Sequence, residues 1–283
     1  MAHRLGRKED PAKALLRLTL EDLTAAARDF RDAASREERV HRVRQRLKRV
    51  RTILRVLEPA YGPRVVAIRR ELSETARLLA GTRDADVAAA SARDLATTVP
   101  DDDFGLARVV STLDEEAARA HHERTPIGEV NRRLAAAIAA ISTFSDEYDG
   151  DALISEALRR TYHKGRRAME QAQTSLSTPD LHRWRKLVKQ LWYLLRLDRK
   201  RLPKHAAKVA PDLERLGEVL GQDNDHALLA EKLALSPTGD ISLMSQLALI
   251  ARRRNALEAE AFALGGKIYK RKQQKFMGRL KRS

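Results

Sequence analysis

The sequence predicts an all-α protein made of two copies of one helical unit. Leu, Ala, Arg and Glu dominate the composition, aromatic residues make up 4% and β-branched runs are scarce, which disfavours strands. Apolar residues recur three and four apart through much of the chain, the spacing of one buried helix face. Finally, His41, Arg44, Lys48 and Arg55 return as His182, Arg185, Lys189 and Arg196, each pair 141 residues apart. The same offset carries Leu79, Arg83 and Asp84 onto Leu220, Asn224 and Asp225. Register held over that span marks an internal duplication, and a duplicated unit implies pseudo-twofold symmetry.

Residues 1–10 read as a polar tail. The helical domain is expected over 11–283, its first repeat over about 11–146 and its second over about 150–283. Pro11 opens the first helix, with Leu15, Leu16, Leu20, Leu23, Ala27 and Phe30 on its buried face. Ser35, Glu37 and Glu38 open the second, which is expected to stop at Glu58-Pro59. A third runs from about Arg64 to Ala80 and ends at Gly81; Thr82-Arg83-Asp84 starts a short fourth. Thr97 to Gly105 reads as a loop, and two further helices break near Thr125-Pro126. Ser145 to Asp151 is the expected boundary between halves. The second half opens with a helix over about Ala152 to Thr174, and Pro179 begins the next. Asp212–Gly221, Asn224–Leu235 and Ile241 to about Leu264 complete the set, followed by a basic C-terminus after Gly265-Gly266.

At 283 residues the chain can bury one large core or two small ones. Its 55 Lys and Arg exceed its 39 Asp and Glu by 16. That surplus is larger than solubility requires and points to a polyanion: nucleic acid, an anionic membrane or a phosphate polymer. There is no cysteine, which removes disulfides, thiolate chemistry and Cys-based zinc sites. The first ten residues lack the apolar segment of a secretory signal, and no apolar run approaches the ~20 residues of a membrane span. A cytoplasmic protein with no membrane partner is therefore expected.

The basic residues are arranged, not scattered. At about 100° per residue, His41, Arg44, Lys48, Arg51 and Arg55 form one stripe of a helix whose adjoining side carries Val43, Leu47, Val50, Leu54 and Leu57. One face buries itself and the next offers a row of cations. The second row has Trp192 where the first has Arg51, so the halves are not equally cationic. A single basic helix face is ordinarily a solvated surface; the repetition and the charge surplus argue for more.

HRVRQRLKRVRTILRVL and LHRWRKLVKQLWYLLRL, followed by LLAGTRDADV and VLGQDNDHAL, resemble the CHAD family, the conserved histidine α-helical domain. YHKGRRAM and GGKIYKRKQQKF are similar to the same family. The resemblance runs from about residue 11 to the end. It implies two related four-helix bundles with a basic central pore or groove between them. It further implies that inorganic polyphosphate binds there and that the protein associates with polyphosphate granules and their proteins. The triphosphatase domain that accompanies some members needs a Glu-x-Glu-x-Lys motif. Here Glu258-Ala259-Glu260 is followed by Ala261 and Phe262, so no triphosphatase activity is expected.

The expected polyphosphate contacts are His41, Arg44, Lys48, Arg51 and Arg55 from the first row, and His182, Arg185, Lys186, Lys189 and Arg196 from the second. Tyr162, Lys164, Arg166, Arg253 and Lys270 are added from the basic clusters, although packing alone explains a tyrosine such as Tyr162 or Tyr269. Cations on successive turns, about 5.4 Å apart, can follow a phosphate chain and release its counterions. An adjacent anion favours the charged form of His41 and His182. Arg83-Asp84 and Asn224-Asp225 read as helix starts that hold row residues by hydrogen bonds. No catalytic residue, cofactor or metal is expected. Glu38/His41 and Asp223/His226 mimic a di-iron spacing, but cations around His41 repel a metal. Nucleic acid is the main rival partner; charge alone does not separate it from polyphosphate, but stacking aromatics and a reading helix are lacking.

Overall fold

The structure, a computed structural model, describes residues 4–29, 36–79, 81–99, 105–122, 127–202, 204–235, 241–270 and 276. Among these it contains ten α-helices and no strand: α1 (Pro11–Asp29), α2 (Arg36–Tyr61), α3 (Pro63–Leu78), α4 (Gly81–Ala96), α5 (Leu106–His122), α6 (Ile127–Ile141), α7 (Gly150–Ser175), α8 (Thr178–Leu197), α9 (Lys204–Ala234) and α10 (Ile241–Tyr269). The all-helical expectation holds.

Local chemistry places most boundaries where the sequence put them. Asp10 accepts the Lys13 N–H at 3.0 Å and so caps α1 before Pro11. Asp149 accepts from the Ala152 N–H at the start of α7, and Ser177 from Asp180 before Pro179 in α8. Gly62, with φ of 53°, turns the chain between α2 and the Pro63 that opens α3.

Three expected breaks are absent. Helix α2 continues past Pro59 to Tyr61. Helix α9 passes unbroken through Gly221 to Asn224, joining two expected helices into one. Its buried Asp223 is neutralised by the Arg254 guanidinium of α10, 2.8 Å away, which removes a reason to unwind. Helix α10 runs through Gly265 and Gly266. Gly265 is there for space: an added Cβ would stand 2.6 Å from the Trp184 ring and 2.7 Å from the Met169 sulfur.

Helices α1, α2, α3 and α6 pack in a closed ring, each touching the next, and α7, α8, α9 and α10 form another. Contacts of α1 and α2 with α7, and of α2 with α8, join the rings. One continuous apolar core runs through both, from Leu15, Leu18 and Leu47 in the first to Trp184, Leu191 and Leu216 in the second. Helices α4 and α5 belong to neither ring. They pair with each other, and α4 docks on α9 over a separate small core of Ala88, Ala92, Leu95, Leu113, Leu229 and Ile250. The α4–α5 hairpin of the N-terminal half thus rests on α9 of the C-terminal half.

Candidate functional site

The halves meet beside Pro59. A proline has no N–H, so the carbonyl four positions earlier, that of Arg55, loses its helical partner. Arg160 of α7 fills the gap, donating Nη2 to the Arg55 carbonyl at 3.0 Å. The proline therefore receives a guanidinium from the second ring and does not end the helix. Arg160 escaped the sequence reading, although the proline four residues beyond a row arginine was a visible signal.

Along α2 the first row is held by α3. Arg44 donates Nη1 to the carbonyls of Ala76 and Leu79, at 2.8 and 3.1 Å. These are among the last carbonyls of α3, where a helix end is partly negative. Arg51 donates to Ser73 Oγ at 3.2 Å, and Arg55 to the Arg51 carbonyl at 3.2 Å. His41 and Lys48 are exposed, and the Gln45 amide lies 2.6 Å from His41 Nε2. Two α3 residues absent from the sequence reading, Arg69 and Arg77, add their charge to the row.

The second row packs on α9. The stem of Lys189 lies flat over Gly217, where an added Cβ would stand 2.9 Å from Cδ and Cε. One turn on, the Arg185 guanidinium lies beside Gly221, with Nη2 3.2 Å from such a Cβ. Lys189 also faces the Trp192 ring, its Nζ 5.2 Å from the ring centre. His182 is half-buried, and the side chain of Asn224, which lies within α9 and not at a helix start, favours its charged form. The side chain of Arg83, 141 residues earlier in the sequence, lies outside the described residues.

The electrostatics locate where the rows converge. Partial desolvation, and then the charges of Arg51, Arg55 and Arg185, hold the ammonium of the solvent-exposed Lys186 below its ordinary pKa. Burial, Arg44 and Arg77 do the same to Arg51. Arg55 is pushed down to about 10 by burial and by Arg69 and Arg51, with Glu58 opposing. Lys186 of α8 therefore stands in the field of two guanidiniums of α2, and like charges held together are a standing demand for an anion. Lys189 differs. Burial and Arg185 lower its pKa, but Glu218 and Glu214 of α9 oppose them. His182 is lowered by burial and by Lys186, with the Asn224 side chain opposing, so its surroundings favour the neutral imidazole.

Not every expected contact joins this cluster. Tyr162 is fully buried, its hydroxyl donating to the Ile268 carbonyl at 3.2 Å and its ring stacked on Phe276 at 4.0 Å. It is a core residue, closed to a polymer, because Phe276 folds back over it. Arg166 pairs with Glu170 on its own helix at 3.0 Å. Arg253 is half-buried on α10, and its Nε is enclosed without a hydrogen-bond partner. Lys164 and Lys270 are exposed on α7 and just beyond α10. Arg196 lies over Trp192, ten residues past Lys186 and so about 15 Å along α8. Of the C-terminal basic run, residues 271–275 and 277–283 lie outside the described residues. Among the described residues no group of three or more His, Cys, Asp or Glu side chains is placed to hold a metal ion. Asp223 is engaged by Arg254, and His226 Nδ1 lies 2.8 Å from the Gln222 carbonyl. No helix among them is long and apolar enough to cross a membrane.

Compared with known families, the CHAD domain model matches residues 14–234. This chain belongs to the CHAD family. Among solved structures, the crystal structure of the CHAD domain from the plant Ricinus communis is similar, with a TM-score of 0.67 at 15% identity over 96% of each chain. At that identity the likeness concerns the fold, and it extends over the CHAD helices α1 to α9 and on into α10. No curated protein matches the chain.

Proposed function

We propose that this CHAD domain binds inorganic polyphosphate along the seam where α2 meets α8, with Arg51, Arg55 and Lys186 as its central seat. The observation that carries the reading is the packing of α2 against α8, which sets Lys186 in the field of two guanidiniums from the opposite half. A phosphate chain laid there would receive paired donors from the arginines and a compact charge from the lysine, and would relieve their mutual repulsion. The 141-residue duplication supports a pseudo-twofold arrangement in which each half contributes one row. The protein acts as a binding module and not an enzyme, located in the cytoplasm on polyphosphate granules, where it organises polymer or granule proteins.

Titration with polyphosphate of defined length tests the reading. The triple variant Arg51→Ala, Arg55→Ala, Lys186→Ala is expected to lose at least 100-fold in affinity while keeping its helicity. The log–log salt dependence should flatten by roughly one unit per phosphate contact removed. Affinity unchanged in the variant, or insensitive to salt, would overturn the assignment. Competition at equal phosphate concentration separates polyphosphate from nucleic acid: duplex DNA should displace the polymer poorly.

A further inference from the structure

Past the second row, a cleft of about 350 Å³ opens between the end of α8 and α9. That volume lies within the roughly 300–1,000 Å³ of small-ligand sites. Its lining includes the largely buried Trp192, which stands 141 residues after Arg51 in the sequence. The Arg196 guanidinium lies over this ring, its carbon 4.5 Å from the ring centre, within cation–π range. Leu195, Leu202, Ala210 and Pro211 add apolar lining, and the exposed Arg199 and Glu214 add charge.

This lining does not suit a bare phosphate polymer. Such a chain gains nothing from an indole and two leucines, and the Glu214 carboxylate repels it. Two guanidiniums still call for an anion. The ligand that satisfies all of them has an apolar, planar part, an anionic part and a hydrogen-bond donor.

We propose that this cleft binds a nucleotide. The base stacks on the Arg196 guanidinium, which itself lies over the Trp192 ring, as bases do on arginine planes. The phosphates reach Arg199, and an exocyclic amino group of the base donates to Glu214. This site is separate from the Arg51–Arg55–Lys186 seat and does not depend on the polyphosphate reading.

Titration calorimetry of the full chain with ADP, pyrophosphate and ribose 5-phosphate tests it. ADP should saturate one site per chain and bind at least tenfold tighter than either partial ligand. Arg196→Ala with Arg199→Ala should weaken ADP at least tenfold, and Trp192→Phe, which keeps a stacking ring, by less than threefold. Glu214→Gln changes an exposed side chain and keeps the assay informative if the double variant fails to fold. It should weaken ADP about threefold while tightening pyrophosphate. Pyrophosphate binding as tightly as ADP, ADP affinity unmoved by Glu214→Gln, or no saturable heat would each sink the proposal.

Discussion

At the scale of the residue, the three cations of the proposed seat, Arg51, Arg55 and Lys186, lie in one another's field. Removing one should therefore have opposite effects on folding and binding. Lys186→Met keeps the stem and deletes the charge; the midpoint of thermal unfolding should rise by 1 to 2 °C or so, while polyphosphate affinity falls about tenfold. Thermal scans beside titrations check both signs. His182 supplies a pH dependence. Its folded pKa lies below the unfolded value, so the unfolded chain binds more protons on acidification, and His182 costs stability as pH falls through the unfolded value near 6.5. A nearby anion raises that pKa, so binding takes up a proton and should tighten as pH falls from 8 to 6. A His182→Gln variant should lose that slope in calorimetry repeated at the two pH values. Arg160 belongs at this scale too. Arg160→Ala strands the part-buried Arg55 carbonyl, for an expected loss of about 1 kcal/mol in chemical denaturation.

At the scale of the element, the glycines of α9 are informative. Gly217 gives up helix propensity so that Lys189 can lie flat. Gly217→Ala would meet only the flexible end of that lysine, so the helix should gain about 1 kcal/mol, seen as a rise of about 2 °C in unfolding temperature. Polyphosphate affinity should change less than twofold, since Lys189 already has Glu214, Glu218 and Trp192 for company. Legibility differed between elements for physical reasons. The basic rows and the proline and N-cap signals are local chemistry, so α1, α7 and α8 could be read directly. The continuity of α9 was not legible, because Gly221 resembles a stop until Arg185 is seen filling the place of its side chain. Pro59 misled in the same way, since its orphaned carbonyl is rescued from 105 residues away. Tyr162 was drawn into the expected contacts by its basic neighbours, whereas Phe276, far along the chain, decides its burial.

At the scale of the whole molecule, the two rings share one core, and a ligand clasped between them should stabilise both at once. Polyphosphate at 100 times its dissociation constant should add about 2.7 kcal/mol to unfolding, in a single transition and not two. Separate melting of the halves under calorimetry would contradict this coupling. The placement of α4 and α5 has a consequence for how the chain can be divided. The N-terminal half, cut free after α6, would carry a hairpin whose greasy underside had been torn from its resting place. Such a fragment should clump when expressed alone and become soluble on mixing with its missing counterpart, which makes split-chain reassembly a natural assay for this protein.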